Sequence, residues 1–221
     1  MRADLPRRRA RGFTLIELLV AIALLALLSL MSWRGIDGMA RAQSQMRERG
    51  DAMLALQGAL AQWQTDLDSV VTTAPMTAID WNGAVLRITR RGSSAEDPAV
   101  RVVAWALRTD PDGRRWHRWQ SPPVATRGDW QQAWQQAATW AEGASSPDPT
   151  GSDVPLVPSL GWRLLYFTNN AWTPAMPADS LGTNTPVPDG VRLVIELAPG
   201  PGLAGTIVRD WVRPDLTVTR S

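Results

Sequence analysis

Phe13 to Trp33 is a predominantly apolar run of 21 residues, and a helix needs about 20 to cross a bilayer. Any fold for this chain must find a place for that run. Five arginines precede it (Arg2, Arg7, Arg8, Arg9 and Arg11) with one acid, Asp4. Such a flank predicts a cytoplasmic N-terminus and delivery of the rest of the chain to the other side. Trp33 at the far end suits the membrane–water interface. The charge sits almost wholly in this flank. The chain has 23 basic residues, all arginine, against 21 acids; without residues 1–12 the balance is 18 against 20. A nucleic-acid binder carries its basic footprint on the folded domain, so no nucleic-acid partner is expected. With 0 Cys there is no disulfide framework, thiolate metal site, Cys nucleophile or lipoprotein anchor.

Two details separate this run from a plain anchor or a secretory signal peptide. Glu17 places a carboxylate inside the apolar span, where a charge is expensive and functional by default. The small residue, Gly12, stands before the run, whereas a secretory peptidase cuts after it at small residues. Ala40-Arg41-Ala42 lies too far beyond the run to serve that purpose.

Arg11-Gly12-Phe13-Thr14-Leu15-Ile16-Glu17-Leu18-Leu19-Val20-Ala21 resembles the class III leader junction of type IV pilins and type II secretion pseudopilins. The resemblance implies that prepilin peptidase cuts between Gly12 and Phe13 and N-methylates Phe13. It also implies that Glu17 pairs with the amino group of a neighbouring subunit's Phe13 during assembly. Gly12 fits the cut physically, because without a side chain the peptidase can approach the backbone closely.

Beyond the membrane the helix continues. No Pro occurs between Ser32 and about Asp68, and Met39, Met46, Met53, Leu60 and Leu67 recur every seven residues. Ala42, Leu56, Trp63 and Val70 stand three residues after members of that series. This predicts an apolar stripe buried on a sheet, with Gly35 and Gly38 as the place for a bend. The rest reads as β-rich. Strands are expected over Ala84–Arg90, Ala99–Arg108, Arg114–Trp119, Leu160–Phe167, Val191–Ala198 and Thr206–Val212. Turns are expected at Pro111-Asp112-Gly113 and Asn169-Asn170. A short helix, Trp130 to Ala141, has Asp129 as its expected N-cap. Residues 143–159 and 173–190 read as loops.

Along most of its length the chain resembles the J type of minor pseudopilin. The matching stretches are Leu60, Asp66 and Leu67 at the helix end, Asp112-Gly113 with Trp116 and Trp119, Leu160 to Phe167 with Trp172, and Pro188 to Leu197. The resemblance implies an α+β, type IV pilin-like fold: a long N-terminal helix on an antiparallel sheet with long loops. Residues 1–12 would be a cytoplasmic leader that is removed, 13–33 the transmembrane part of the helix, 34–70 its periplasmic part, and 71–221 the β-rich domain. The implied role is a structural subunit at the tip of a periplasmic pseudopilus that promotes export across the outer membrane. It would be a single-pass protein of the bacterial inner membrane. The implied partners are I-type and K-type subunits, the major subunit and prepilin peptidase. A minor pilin of a type IV pilus is the alternative, though these often carry a C-terminal Cys pair. A membrane-anchored periplasmic enzyme or binding protein is a further one.

Little in the sequence offers chemistry. Gly200-Pro201-Gly202-Leu203-Ala204-Gly205 has dinucleotide-loop spacing, but strand residues follow where a helix is required, so it reads as a hairpin. His117 reads as an exposed or stacked strand residue. Asp110, Asp112, Asp148 and Asp153 lack calcium-loop spacing and read as turn and cap residues. Of the 12 Trp, Trp63, Trp81, Trp105, Trp162 and Trp211 read as core. No catalytic residue, cofactor or metal is expected.

Overall fold

The computed structural model describes residues 13–73, 75–92, 98–143, 152–177, 187–200 and 202–214. The chain divides into two units, Met1–Arg47 and Glu48–Ser221. Helix α1 (Leu15–Asp68) begins in the first and ends in the second. In the first unit every described residue is exposed, among them Leu15, Leu19, Ile22, Leu27 and Trp33. The helix is long and apolar enough to cross a membrane. Gly35 and Gly38 remain helical.

The second unit is built on one antiparallel sheet. Its strands are β1 (Ile79–Trp81), β2 (Val85–Arg91), β3 (Val100–Asp110), β4 (Gly113–Gln120), β5 (Ser152–Thr168), β6 (Ala171–Pro174), β7 (Gly190–Leu197) and β8 (Gly205–Val212). The order is β1-β2-β3-β4-β5-β7-β8, with β6 paired to β5. A second helix, α2 (Arg127–Ala141), connects β4 to β5. The turns follow local chemistry. Asn169 and Asn170 both hold positive φ, 51° and 64°, and join Thr168 to Ala171 in a two-residue hairpin, a conformation Asn tolerates well.

One face of the sheet receives the end of α1. Leu56, Ala59, Trp63, Asp66 and Leu67, three and four residues apart, form the buried stripe of the helix. Trp63 is fully buried, edge-on to Trp105 at 5.3 Å, and Trp105 packs on Trp116 at 4.4 Å. Trp81 and Trp162 complete this cluster at 4.7 Å. Aromatic pairs at such distances stabilise beyond their buried area. The other face, over β2, β3 and β4, receives α2 through Trp130, Ala133, Trp134, Ala137 and Trp140. Strand β3 is therefore covered on both sides, which explains why Val102 to Ala106 is a continuous buried run instead of an alternating one.

The structure corrects four expectations. The heptad stripe is only partly buried: Leu67 is 1% exposed, but Met53 is 46%, Met46 75% and Met39 76% exposed. Met39 and Met46 lie where every described residue of the helix, on all its faces, is exposed, and burial begins only at Leu56 and continues through Ala59, Trp63 and Leu67. Secondly, α2 is capped by Thr126, not Asp129. The Thr126 hydroxyl accepts from the Asp129 amide at 3.1 Å, and Asp129 accepts from the Thr126 amide at 2.9 Å in return. Thirdly, part of the region read as a loop over 143–159 is strand, because β5 starts at Ser152. Pro155 and Pro158 disguised it. Both pair with β4 beside a register shift, the position where a strand tolerates proline. Lastly, residues 173–174, read as loop, continue β6, and the three-residue β1 had no alternating signature to reveal it.

Candidate functional site

Two places on α1 hold the polar residues that an apolar helix does not need for its own sake. The first is its start. Phe13 is 83% exposed. The Glu17 carboxylate accepts from the Thr14 amide at 3.3 Å and from the Thr14 hydroxyl at 3.2 Å. The Glu17 amide in turn donates to the Thr14 hydroxyl oxygen at 3.4 Å. This is the reciprocal arrangement of a capping box, and an acid there also complements the helix dipole. Thr14 thus gives Glu17 a partner within its own chain. Gly12 lies outside the described residues.

The second is Asp66, fully buried in the last turn of α1. Its carboxylate accepts from Arg90 of β2 at 2.5 Å, from the Trp105 indole of β3 at 2.9 Å, and from Arg118 of β4 at 2.8 and 2.9 Å. Gln62, one turn earlier, adds a bond at 2.9 Å. Two cations on one buried acid leave the cluster with excess positive charge. Part of that excess is spread by Arg118 donating to Gln120 and Arg90 donating to the Arg91 carbonyl. The sequence carried a signal for this anchor. An acid in the last turn of a helix opposes the dipole, and Asp66 stands three residues from Trp63 on the apolar side. An unfavourable charge on a buried face requires partners.

The remaining polar residues form no reactive centre among those described. His117 is 4% exposed, which corrects the reading of it as exposed or stacked. Its Nδ1 lies 3.0 Å from Asp153 and its Nε2 3.1 Å from Asp110, and no nucleophile hydrogen-bonds it. Asp153 also accepts from Arg108 at 2.8 Å. Burial pushes the Asp153 carboxyl up, but the hydrogen bond from His117 and the charge of Arg108 outweigh this and hold it below the ordinary value. Asp148 lies outside the described residues. No group of three His, Cys, Asp or Glu among the described residues could hold a metal. The Gly200–Gly205 segment joins β7 to β8, as its strand-like sequel requires. Its Gly202 has a structural reason: a Cβ there would clash with the Ala52 Cβ of α1.

Residues 7–33 match the prokaryotic N-terminal methylation motif. Over 64 residues the chain is 36% identical to type II secretion system protein J of Klebsiella pneumoniae, a match that covers 29% of this chain and 32% of that protein. The matched stretch thus spans about a third of the relative's length. The fold matches a chain in the crystal structure of the GspK-GspI-GspJ complex of the enterotoxigenic Escherichia coli type 2 secretion system. The TM-score is 0.50 at 14% identity, over 75% of this chain and 99% of that one. At that identity the match speaks for fold alone. It bears out the expected long helix on an antiparallel sheet. The methylation motif thus lies at the start of a helix long and apolar enough to cross a membrane.

Proposed function

We propose that this chain is the J-type minor pseudopilin of a type II secretion system. It acts as a structural subunit at the tip of a periplasmic pseudopilus and performs no catalysis of its own. The observation that carries this reading is the methylation motif over 7–33 together with Glu17, a carboxylate inside the apolar part of α1. An enzyme's anchor needs no charge in its membrane span. In this reading residues 1–12 are a leader, 13–33 cross the membrane, 34–70 continue the helix in the periplasm and 71–221 form the β-rich domain. Prepilin peptidase cuts between Gly12 and Phe13 and methylates Phe13. I-type, K-type and major pseudopilins are the partners.

Mass spectrometry of the protein made with an active prepilin peptidase tests this. The expected mature chain begins at Phe13 and carries one added methyl group. Gly12→Val should block the cut and leave membrane insertion intact. A mature start beyond Trp33 would refute the reading. Glu17→Leu separates processing from assembly. The variant should be inserted and cut at wild-type level, yet secretion should fall, because the neighbour's amino group loses its carboxylate. In lipid such a pair sets register more than it adds stability. Wild-type secretion by Glu17→Leu would remove Glu17 from the assembly step.

A further inference from the structure

Strand β8 ends the sheet, and among the described residues no strand pairs with its outer side. The opposite end is closed differently: β1 is three residues long, whereas β8 has eight, without proline and without a register shift against β7. The phase of the ladder follows from one bond. The Arg213 amide donates to the Asp189 carbonyl at 2.9 Å, so the alternating residues Trp211, Arg209 and Ile207 direct their backbone groups to β7. Thr206, Val208, Asp210 and Val212 therefore direct theirs outward. The strand cannot slide to hide them. Trp211 is 2% exposed on the inner face, and its indole donates to Asp68 of α1 at 2.7 Å. Val208 and Val212 are 55% and 59% exposed on the face away from α1.

A long edge of this kind, unpaired among the described residues, is a template for another strand. Its charges indicate which. Asp210 is held by Arg192 of β7 at 2.7 and 2.6 Å, while Arg209 is exposed and makes no ion pair among the described residues. A second copy fits badly. About a twofold axis, the antiparallel register that uses Thr206 to Val212 in full sets Arg209 against its own counterpart. One step along, Asp210 meets its counterpart. Like charges directly opposite are destabilising. One step the other way runs the pairing onto Gly205, whose φ is +103°, and onto Ala204, which lies before the strand begins.

We propose that β8 is a strand-addition site for an extended segment of a different pilin-like subunit, with an acid opposite Arg209 and apolar side chains beside Val208 and Val212. The inference rests on the pseudopilin reading above and names the surface through which it would operate. Backbone pairing would supply the affinity, and the alternating side chains the choice of partner.

The test is hydrogen–deuterium exchange on the full-length protein in detergent micelles, alone and mixed with the full-length I-type and K-type pseudopilins of the same bacterium, with light scattering to count subunits. In the complex the amides of Val208, Asp210 and Val212 should exchange at least about tenfold more slowly than in the protein alone. Val208→Pro removes an outward N–H that the ladder to β7 does not use, and should weaken the complex about tenfold. Arg209→Glu keeps every backbone group and should weaken it about fivefold through the charge alone. A complex that forms without slowing these amides overturns strand addition and leaves the pseudopilin reading standing. No complex with either subunit overturns both. Slowed exchange in the protein alone, increasing with its concentration, would make the occupant a second copy and overturn the choice of partner.

Discussion

A carboxylate shared by two buried guanidinium groups is hard to replace at the scale of a single residue. Asp66→Asn leaves Arg90 and Arg118 in the core beside an amide that carries no charge. Breaking a buried pair in this way costs about 3–5 kcal/mol. The variant should therefore unfold at lower denaturant concentration, followed by near-UV circular dichroism, where Trp63, Trp105 and Trp116 report. An unchanged midpoint would mean that water reaches the site and takes over the role of the acid. The same scale shows what a sequence conceals. Asp66 was conspicuous by its position, yet its partners come from three strands, 24, 39 and 52 residues away. Only the strand register brings them together. Glu17 differs, because its partner Thr14 is three residues away and the whole arrangement can be read locally.

Elements were legible where one periodicity ruled and obscure where two constraints overlapped. The hairpins at Pro111–Gly113 and Asn169–Asn170 appear as expected, since turn chemistry depends on adjacent residues. The start of β5 was hidden because Pro155 and Pro158 suggest a loop until a bulge and a partner strand make room for them. The methionine stripe misled because a period shows which face of a helix is apolar but not how far along the helix a covering sheet extends; burial begins only at Leu56. The connection between β7 and β8 bears on element packing too. Gly202→Val should drive that segment away from Ala52 and destabilise the fold by about 1–3 kcal/mol, the usual range for overpacking. Gly200→Ala, with open space around its Cβ, serves as the control and should change the thermal midpoint little.

For the whole molecule, acid is the revealing variable. Three carboxyls sit below their ordinary value of 3.8 in the folded state. Asp129 is lowered by the Thr126 amide and hydroxyl, and Asp210 by the guanidinium of Arg192. Asp153 is lowered by its bonds and charges despite burial. A depressed folded pKa means that the unfolded chain takes up protons first, so these groups stabilise the fold above the ordinary carboxylate range. Their contribution is lost as pH falls through that range and is gone below the folded values. Thermal midpoints of the full-length protein in micelles should thus decline from neutral pH toward pH 3, and Asp153→Asn should make the decline shallower. A midpoint that rises with acidification would contradict this sign.

The meeting of α1 with the sheet also has a mechanical side. Force applied along a helix must leave it through whatever side chains grip the neighbouring structure. At Asp66 the grip is divided among β2, β3 and β4 through a single carboxylate, with the Trp63 ring lodged beside it. Thrust that reaches the last turn of α1 is therefore passed to three neighbouring strands at once.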